Sequence, residues 1–437
     1  MELTEEFVSA IDAMNDPEIP IVFVTGNAGT GKSTLLKYFY KGKQDEEKNI
    51  VLLSPTGIAA INIGGMTLHS FFKLPITFLS ESICAGIRMD DKQRKLYEAL
   101  EYLIIDEISM VRADVLDAVD YILRSARNSY RPFGGVKIIL FGDLHQIEPI
   151  VDKDMQKECK KLYKTPFFFS SKVIVNNPDI RKISLTRIFR QSDQVFISAL
   201  NDIRSGGYAE DTAELLNRRL LSKLKDYDVS NAIHLCTRNV DVDTLNKEKL
   251  SKIDSPLEEF HGYIDGKIEP IVDLVLQLKL GAQVMIMRNN LNDGYVNGTI
   301  GTVVDFDEFE DEQTGDTVRG VKVQVDDETF CLKPHTWKNT IYKIVDGLIV
   351  EETIGTFTQI PLRLAWAITI HKSQGLSLDK VIVNLGSKGA FAHGQLYVAL
   401  SRCKTLEGLA LASRVYPSDV ILNEDIYTFN EKNICVS

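Results

Sequence analysis

The stretch IVFVTGNAGTGKSTLLKYFY, residues 21–40, decides the fold of this chain. The apolar run Ile21–Val24 is typical of a short buried parallel strand, and the periodic run that begins at Ser33 is typical of a helix. Between them lies the pattern G-x-x-x-x-G-K-S, which starts at Gly26. A strand, a glycine-rich turn and a helix in this order predict a phosphate-binding loop, and therefore a nucleotide-binding α/β domain.

The loop supplies the groups that a nucleotide phosphate needs. Glycine tolerates backbone angles that turn successive N–H groups toward a phosphate, and the positive end of the helix dipole adds to the attraction. Lys32 is expected to reach the β- and γ-phosphates and to act in catalysis, and Ser33 is expected to bind Mg²⁺. The predicted nucleotide-binding residues of the loop are Gly26, Ala28, Gly29, Thr30, Gly31, Lys32, Ser33 and Thr34.

Length and composition restrict the remaining possibilities. The 437 residues exceed what one core usually serves, so two or three domains are expected. The net charge of −11 argues against a global basic field for nucleic acid, although a local groove of Lys and Arg would still bind it. The six cysteines have no metal-ligand spacing and are expected to be free thiols. The acidic start, without a signal-peptide or transmembrane pattern, favours a cytoplasmic location.

Strand patterns divide the chain into three regions. Apolar runs at 49–56, 102–109 and 136–143 alternate with helical stretches and predict a parallel sheet covered on both faces. A similar set of segments after residue 231 predicts a second α/β domain. Between residues 281 and 356, short alternating strands and turns predict an inserted SH3-like β-barrel. Its acidic run, 305–316, is expected to be a solvated hairpin tip.

A second phosphate element is expected after a buried strand. The run LIIDEISM, residues 103–110, contains Asp106 and Glu107. Asp106 is expected to hold Mg²⁺, and Glu107 is expected to orient and deprotonate the attacking water as a general base. Any strand can end in surface acids, but this pair combined with the preceding loop predicts hydrolysis of a nucleoside triphosphate.

Six segments follow one another in a fixed order and span most of the chain. Together they resemble the helicase motifs of superfamily 1. In addition, DVLDAVDYILRSARNSYRPFGG, residues 114–135, resembles the signature of the PIF (petite integration frequency) DNA helicases, here in their compact bacterial form. The six segments are SPTGIAAINIGGMTLHSFF (54–72), DEISM (106–110), FGDLHQIEPI (141–150), LTRIFRQ (185–191), TIHKSQGLSLDKVIV (369–383) and YVALSRCK (397–404).

The resemblance implies two RecA-like motor domains, with ATP in the cleft between them and single-stranded DNA across their tops. It places Gln146 at the γ-phosphate, and it places Arg190 and Arg402 in the second domain, from which they would complete the site. Arginines in this role accelerate phosphoryl transfer roughly 10³–10⁵-fold. Gly375 joins the predicted nucleotide-binding residues. The first implied motor domain, 1A, is residues 1–175 and contains a DNA-contacting wedge, 1B, at about 64–80. The second motor domain, 2A, is 176–280 and 357–437, and the inserted barrel, 2B, is 281–356.

The DNA path is expected to combine polar groups for phosphates with apolar or aromatic faces for bases. Phe71 and Phe72 cannot both be base platforms on one face, so one of them is expected to lie in the core. Pro75 is expected to shape the wedge. The predicted DNA-binding residues are Thr56, Gly57, Thr67, His69, Ser70, Phe72 and Pro75 in the first domain, and Thr237, Asn239, His371, Lys372 and Ser373 in the second.

The N-terminal segment departs from the family pattern. Many relatives carry a glutamine there that reads adenine, whereas LTEEFVSAI, residues 3–11, has Glu6 in the corresponding position. A carboxylate accepts from the adenine amino group but cannot donate to a ring nitrogen. Selectivity for adenine is therefore left open, and hydrolysis of other triphosphates is compatible with this segment.

The favoured function is that of an ATP-driven 5′→3′ DNA helicase, whose polarity is implied only by the resemblance. Single-stranded and forked duplex DNA are the expected partners, with G-quadruplexes and RNA–DNA hybrids as further candidates, and the expected state is a monomer or a dimer on DNA. The expected setting is replication, recombination, repair or telomere-type genome maintenance. Two other functions stay open, a small-molecule kinase and a nucleotide-switched scaffold that binds single-stranded DNA. Stimulation of hydrolysis by single-stranded DNA separates the helicase from the kinase, and measured turnover separates it from the scaffold.

Overall fold

The computed structural model describes residues 4–177, 180–290, 294–310 and 317–432, so the predicted acidic hairpin tip lies partly outside the described residues. The chain forms two compact units. Unit 1 contains the described residues up to Arg190 together with 340–352 and 422–432, and unit 2 contains those of 191–339 and 353–421. In the described ranges no helix is both long enough and apolar enough to cross a membrane.

A parallel sheet forms the centre of unit 1. Its strands are β1 (Ile21–Gly26), β2 (Ile50–Ser54), β3 (Met66–Thr67), β4 (Tyr102–Ile105), β5 (Lys137–Phe141) and β6 (Ile180–Leu185). They are ordered β3-β2-β4-β5-β1-β6, and each neighbouring pair is parallel. Strands β1 and β2 are buried along their whole length, as expected for strands covered on both faces. The predicted parallel α/β architecture is confirmed here.

Helices pack on the two faces of this sheet. Because successive side chains of a strand point to opposite faces, Ile21 and Phe23 join one core cluster, while Val22 and Val24 join another. The first cluster also includes Leu116, and the second includes Phe7 and Leu35. The helices are α1 (Glu5–Asn15), α2 (Lys32–Asp45), α3 (Gly57–Ile63), α4 (Leu68–Phe72), α5 (Glu81–Gly86), α6 (Asp91–Ala99), α7 (Ala113–Ala126), α8 (Lys153–Leu162) and α9 (Lys172–Val175).

The limit of the first domain differs from the predicted residue 175. Strand β6 pairs with β1 from Ile180 opposite Ile21 to Leu185 opposite Gly26. It therefore completes the sheet of unit 1 instead of starting the second domain. Unit 1 continues to Arg190, so this arginine belongs to unit 1 and not to the second domain as predicted.

The rest of the chain is richer in strands. Its helices are α10 (Gln194–Arg204), α11 (Glu210–Arg218), α12 (Asn239–Ser251), α13 (Gln395–Ser401) and α14 (Asp425–Lys432), the last of which belongs to unit 1. Its strands are β7 (Ile233–Cys236), β8 (Glu258–His261), β9 (Tyr263–Gly266), β10 (Val275–Leu278), β11 (Gln283–Ile286), β12 (Ile300–Glu310), β13 (Thr317–Val325), β14 (Glu328–Leu332), β15 (His335–Val345), β16 (Leu348–Gln359), β17 (Leu362–Leu364), β18 (Ala367–Thr369), β19 (Val381–Asn384) and β20 (Leu409–Leu411).

Unit 2 combines a parallel sheet with antiparallel strands. The parallel sheet has the order β18-β7-β19-β20, which confirms a second α/β region. The antiparallel strands form sheets ordered β14-β13-β12-β11-β17, β15-β16-β9 and β10-β8. Strands β9 and β17 lie outside the predicted limits of the insert, 281 and 356, but they pair with β16 and β11, which begin inside these limits. Strands β8 and β10 pair with each other in a separate sheet.

The hairpin end formed by residues 340–352 of β15 and β16 packs within unit 1. The backbone N–H of Leu52 donates to the Tyr342 hydroxyl at 3.3 Å, and the Tyr342 ring lies 5.8 Å from that of Phe71 in a T-shaped arrangement. Asn49 donates to the carbonyl of Gly347 and accepts from the N–H of Ile349. The hairpin end thus satisfies a strand N–H of β2 and covers part of the core of unit 1.

Replacing Tyr342 with phenylalanine is expected to lower the free energy of unfolding by about 1–3 kcal/mol, because the buried N–H of Leu52 would lose its partner. Urea unfolding followed by circular dichroism measures the change. Tyr130→Phe is the matched control: its ring is 94% exposed, so a change within about 0.5 kcal/mol is expected. Equal unfolding midpoints for Tyr342→Phe and the unaltered protein would contradict this contact.

Candidate functional site

The glycine-rich loop lies between the end of β1 and the start of α2. Gly29 and Gly31 have φ values of 82° and 84°, in the left-handed region that favours glycine. A Cβ atom at Gly29 would approach the Cβ of Arg190 to 2.5 Å, and one at Gly31 would approach the Phe7 ring to 2.9 Å. Side chains at these two positions would therefore clash, which explains why the loop is built from glycine.

Lys32 points back across this loop. Its ammonium group donates to the carbonyls of Gly26 and Asn27 at 2.7 and 2.9 Å. Ala28 and Thr30 are buried, and the Thr30 hydroxyl donates to the Asn27 carbonyl, so these two residues offer only their backbone groups to a phosphate. Ser33 and Thr34 are exposed at the start of α2.

The acid pair follows β4, close to the end of the strand. Asp106 is 8% exposed, and Glu107 has a left-handed backbone with φ of 51°. Burial, and then the neighbouring Glu107 carboxylate, raise the pKa of Asp106 to about 7, while the positive charge of Lys32 opposes this shift. A bound cation would favour the ionised form of Asp106, so the carboxyl group suits a metal ligand.

A third segment, residues 143–146, follows β5. Gln146 is buried, and its backbone N–H donates to the carbonyl of Asp143 at 3.0 Å. Because β4, β5 and β1 are neighbours in a parallel sheet, the segments after them lie at one edge. The fold therefore brings together Lys32, Asp106, Glu107 and Gln146, as expected of ligand sites at the carboxyl ends of parallel strands.

The two predicted arginines have different surroundings. Arg190 lies beside the glycine-rich loop within unit 1, where the preceding Phe189 N–H donates to the Gly29 carbonyl at 2.8 Å. Arg402, in unit 2, is 1% exposed. Its guanidinium group donates to the Val398 carbonyl and to the Ser401 hydroxyl. Both catalytic roles stay predictions.

In unit 1 the predicted DNA-binding residues fall around α3 and α4. The hydroxyls of Thr56 and Thr67 accept the N–H groups of Ala59 and Ser70 and so cap these helices. Burial lowers the pKa of the half-buried His69. Of the same predicted set, three members are exposed at this surface: Gly57, Ser70 and Pro75.

Phe72 does not face this surface. Its ring is 1% exposed and that of Phe71 is 4% exposed, and both pack against Tyr97. The prediction that Phe72 contacts DNA is therefore corrected, since both phenylalanines belong to the core. A sequence cannot show that α6 and the 340–352 hairpin end cover the two neighbouring rings.

Unit 2 exposes only part of its predicted DNA-binding set. Thr237 and Ser373 are buried, and the Ser373 hydroxyl donates to the Ile370 carbonyl at 2.7 Å. The prediction that these two side chains contact DNA is therefore corrected, because both are buried. Asn239 and Lys372 are exposed, as is Gly375, which has φ of 80°. Burial lowers the pKa of His371 and also that of Lys372, for which Arg363 adds to the effect.

Two features beside the loop were not predicted from sequence. Phe189 is 55% exposed, lies near Gly31 and is covered on one side by Arg187 at 5.1 Å from its centroid. The carboxylate of Glu6 accepts from the N–H and hydroxyl of Thr186, so its acceptors are already engaged. Phe189 lies in the LTRIFRQ segment, directly before Arg190, and this position next to a predicted site residue could have indicated it.

Three family models match the chain. The model for PIF1-like helicases matches residues 2–214, the model for the 2B domain of the DNA helicase Pif1 matches 267–306, and a model described as helicase matches 343–417. The ATP-dependent DNA helicase PIF1 of Xenopus laevis is 35% identical over 399 residues, which are 89% of this chain and 58% of that protein. The chain thus spans about three fifths of the length of the curated vertebrate relatives.

Bacterial relatives match over nearly their whole length. The ATP-dependent DNA helicase Pif1 of Bdellovibrio bacteriovorus is 32% identical over 442 residues, with 98% of this chain and 92% of that protein covered. Crystal structures of Bacteroides sp Pif1 with ADP-AlF4 and of Bacteroides Pif1 with ssDNA have TM-scores of 0.87 and 0.69, both at 39% identity and with 99% of this chain and 97% of theirs covered. The chain therefore belongs to the family of PIF1-like helicases.

Proposed function

We propose that this chain is an ATP-dependent DNA helicase that moves 5′→3′ along single-stranded DNA and unwinds duplex DNA. The observation that carries the proposal is the meeting of Lys32, Asp106 and Glu107 at one edge of the unit 1 sheet. A phosphate-binding lysine and an acid pair are the groups that nucleoside triphosphate hydrolysis requires. The polarity rests on the family resemblance.

The residues present fit ATP and Mg²⁺. Gly29 and Gly31 have the left-handed backbone that a phosphate-binding turn requires, and Lys32 holds its ammonium group at the loop carbonyls. Ser33 and Asp106 would hold the metal ion, which neutralises developing charge on the phosphates when it is bound. Burial raises the pKa of the Asp106 carboxyl group, and a bound cation would offset this by favouring the ionised form.

Glu107 is the proposed general base. It follows Asp106 directly, and its left-handed backbone places it where β4 ends, while its side chain is partly exposed and not buried like that of Asp106. A carboxylate here would accept a proton from water, whereas Lys32 would bind the phosphates. The two side chains thus divide the chemistry between proton transfer and charge stabilisation.

The proposed DNA surface of unit 1 consists of the exposed groups around α3 and α4. That of unit 2 includes Asn239 and Lys372. A Bacteroides Pif1 was crystallised with ssDNA, which supports single-stranded DNA as the partner of this chain. Forked duplex DNA and G-quadruplexes are proposed as further substrates, and the antiparallel strands of unit 2 are proposed to form the SH3-like insert.

Stimulation of ATP hydrolysis by single-stranded DNA tests this function. We expect Mg²⁺-dependent phosphate release to rise at least about tenfold when an oligonucleotide saturates the protein, because binding would complete the catalytic arrangement. A double-stranded oligonucleotide without tails is the matched control. Hydrolysis indifferent to DNA would favour the small-molecule kinase, and DNA binding without turnover would favour the nucleotide-switched scaffold.

A further inference from the structure

The helix α8 of unit 1 carries lysines on one side. At 100° per residue, Lys153, Lys157, Lys160 and Lys161 fall within an arc of about 100°. Met155, Cys159 and Leu162 lie on the opposite side, where Cys159 is buried and Met155 packs against a core cluster. The four lysines are exposed, and we call them the lysine face.

Most of the charge on this face is not neutralised locally. Lys161 pairs with Glu158 at 2.9 Å, but both side chains are about half exposed, so the pair is weak. The other three lysines form no ion pair with any residue in the described part of the chain. The helix itself contains four lysines and two acids, although the whole chain has a net charge of −11. Such a local excess attracts an anionic partner.

The position of α8 connects the lysine face to the DNA surface. Tyr163, which directly follows the helix, packs its ring 6.3 Å from that of Phe78. Phe78 belongs to the loop 73–80, which follows α4 and carries Ile76 with its side chain 90% exposed. The lysine face and the exposed isoleucine therefore belong to one packed part of unit 1.

The loop itself is firmly held. Arg112 donates to the carbonyl of Thr77 at 2.8 Å, and the N–H of Leu79 donates to the carboxylate of Asp114 at 2.8 Å. Arg112 and Asp114 form an ion pair in which the Asp114 side chain is only 1% exposed. Because α7 begins next to this pair, the loop, α7 and α8 are expected to act as a single support.

The chemistry of the lysine face favours duplex DNA over single strands. Proteins that bind single strands without sequence preference stack bases on aromatic side chains, and α8 contains no aromatic residue. A surface that consists only of lysines recognises phosphates and not bases. A duplex presents one phosphate charge per about 1.7 Å of its axis. The lysine face spans about 12 Å along α8, so several phosphates would lie within its reach.

We infer that the lysine face binds the phosphate backbone of duplex DNA ahead of the point at which the strands separate. This inference rests on the proposed helicase function and adds a duplex-binding surface to it. The lysine face would hold the incoming duplex next to the loop 73–80, which carries Ile76. It would act independently of nucleotide, since it contains none of the residues around the glycine-rich loop.

Fluorescence anisotropy with a blunt duplex tests the inference in the absence of nucleotide. For the triple variant Lys153→Gln, Lys157→Gln, Lys160→Gln we expect duplex affinity to fall roughly tenfold. The slope of log affinity against log salt should decrease by about 2.7, which corresponds to three lost phosphate contacts. Affinity for a single strand and hydrolysis stimulated by it should stay unchanged. Glutamine preserves the helix, so the variant is expected to fold.

The matched control removes three other exposed lysines of unit 1, in the variant Lys41→Gln, Lys92→Gln, Lys95→Gln. It changes net charge equally and should leave the duplex salt slope unaltered. Equal effects of the two variants, or unchanged duplex binding by the first, would overturn the inference. So would an equal loss of single-strand affinity, or binding only to vesicles of anionic lipid. Failure of the helicase function would appear separately, as DNA-independent hydrolysis by the unaltered protein.

Discussion

Replacing Lys32 with alanine is expected to lower ATP hydrolysis at least about 100-fold while single-stranded DNA binding is largely retained. The ammonium group donates to the carbonyls of Gly26 and Asn27, so it lies within the glycine-rich loop. Alanine removes both the charge and the reach to the phosphates. Steady-state phosphate release and anisotropy with a labelled single strand measure the two effects.

Lys41→Ala is the matched control for this variant, because Lys41 lies on the same helix, α2, and is exposed away from its start. Its hydrolysis rate should stay within about twofold of that of the unaltered protein. If Lys32→Ala lost DNA binding as strongly as hydrolysis while keeping its circular dichroism spectrum, the separation of the nucleotide and DNA sites would be wrong.

Glu107→Gln is expected to slow turnover by about 10²–10⁴-fold, which is the usual contribution of a general base. Glutamine keeps the size and hydrogen-bonding capacity of the side chain but cannot accept the proton. ATP and Mg²⁺ should still bind, since Lys32, Ser33 and Asp106 are unchanged. Single-turnover hydrolysis separates this defect from weak binding, and the variant should accumulate in a nucleotide-bound state on DNA.

Glu98→Gln serves as the control, because Glu98 is an exposed acid of α6 on the same unit. It should hydrolyse ATP at the normal rate. Near-normal turnover by Glu107→Gln would identify Glu107 as a surface acid and would require a different base.

The local parts of the fold could be predicted because each depends on a short pattern. Strand β1, the glycine-rich loop and α2 are contiguous in sequence, and the apolar runs of β2, β4 and β5 are buried as predicted. The place of β6 could not be predicted in the same way. Its assignment to unit 1 depends on pairing with β1, about 160 residues earlier, and no local pattern encodes that pairing.

In the candidate site, too, local patterns predicted some features, whereas others depend on residues distant in the sequence. The positions of Lys32, Asp106 and Glu107 after β1 and β4 were predictable because glycine spacing and strand ends specify them, and their roles stay predictions. Thr237 and Ser373 were placed on the DNA path by their motifs, but their burial depends on the residues packed around them, and the Ser373 hydroxyl bonds within its own turn. A sequence pattern therefore predicts the position of a residue along a strand or helix, but not whether its side chain is buried.

Unwinding of tailed duplexes tests the central claim most directly. A labelled duplex with either a 5′ or a 3′ single-stranded tail is mixed with the protein, with and without ATP and Mg²⁺, and Glu107→Gln serves as the inactive match. We expect strand release only from the 5′-tailed duplex, and only when ATP and Mg²⁺ are both present. Absence of release from both duplexes by a protein whose hydrolysis responds to single-stranded DNA would contradict the helicase function, and release from the 3′-tailed duplex alone would contradict the polarity.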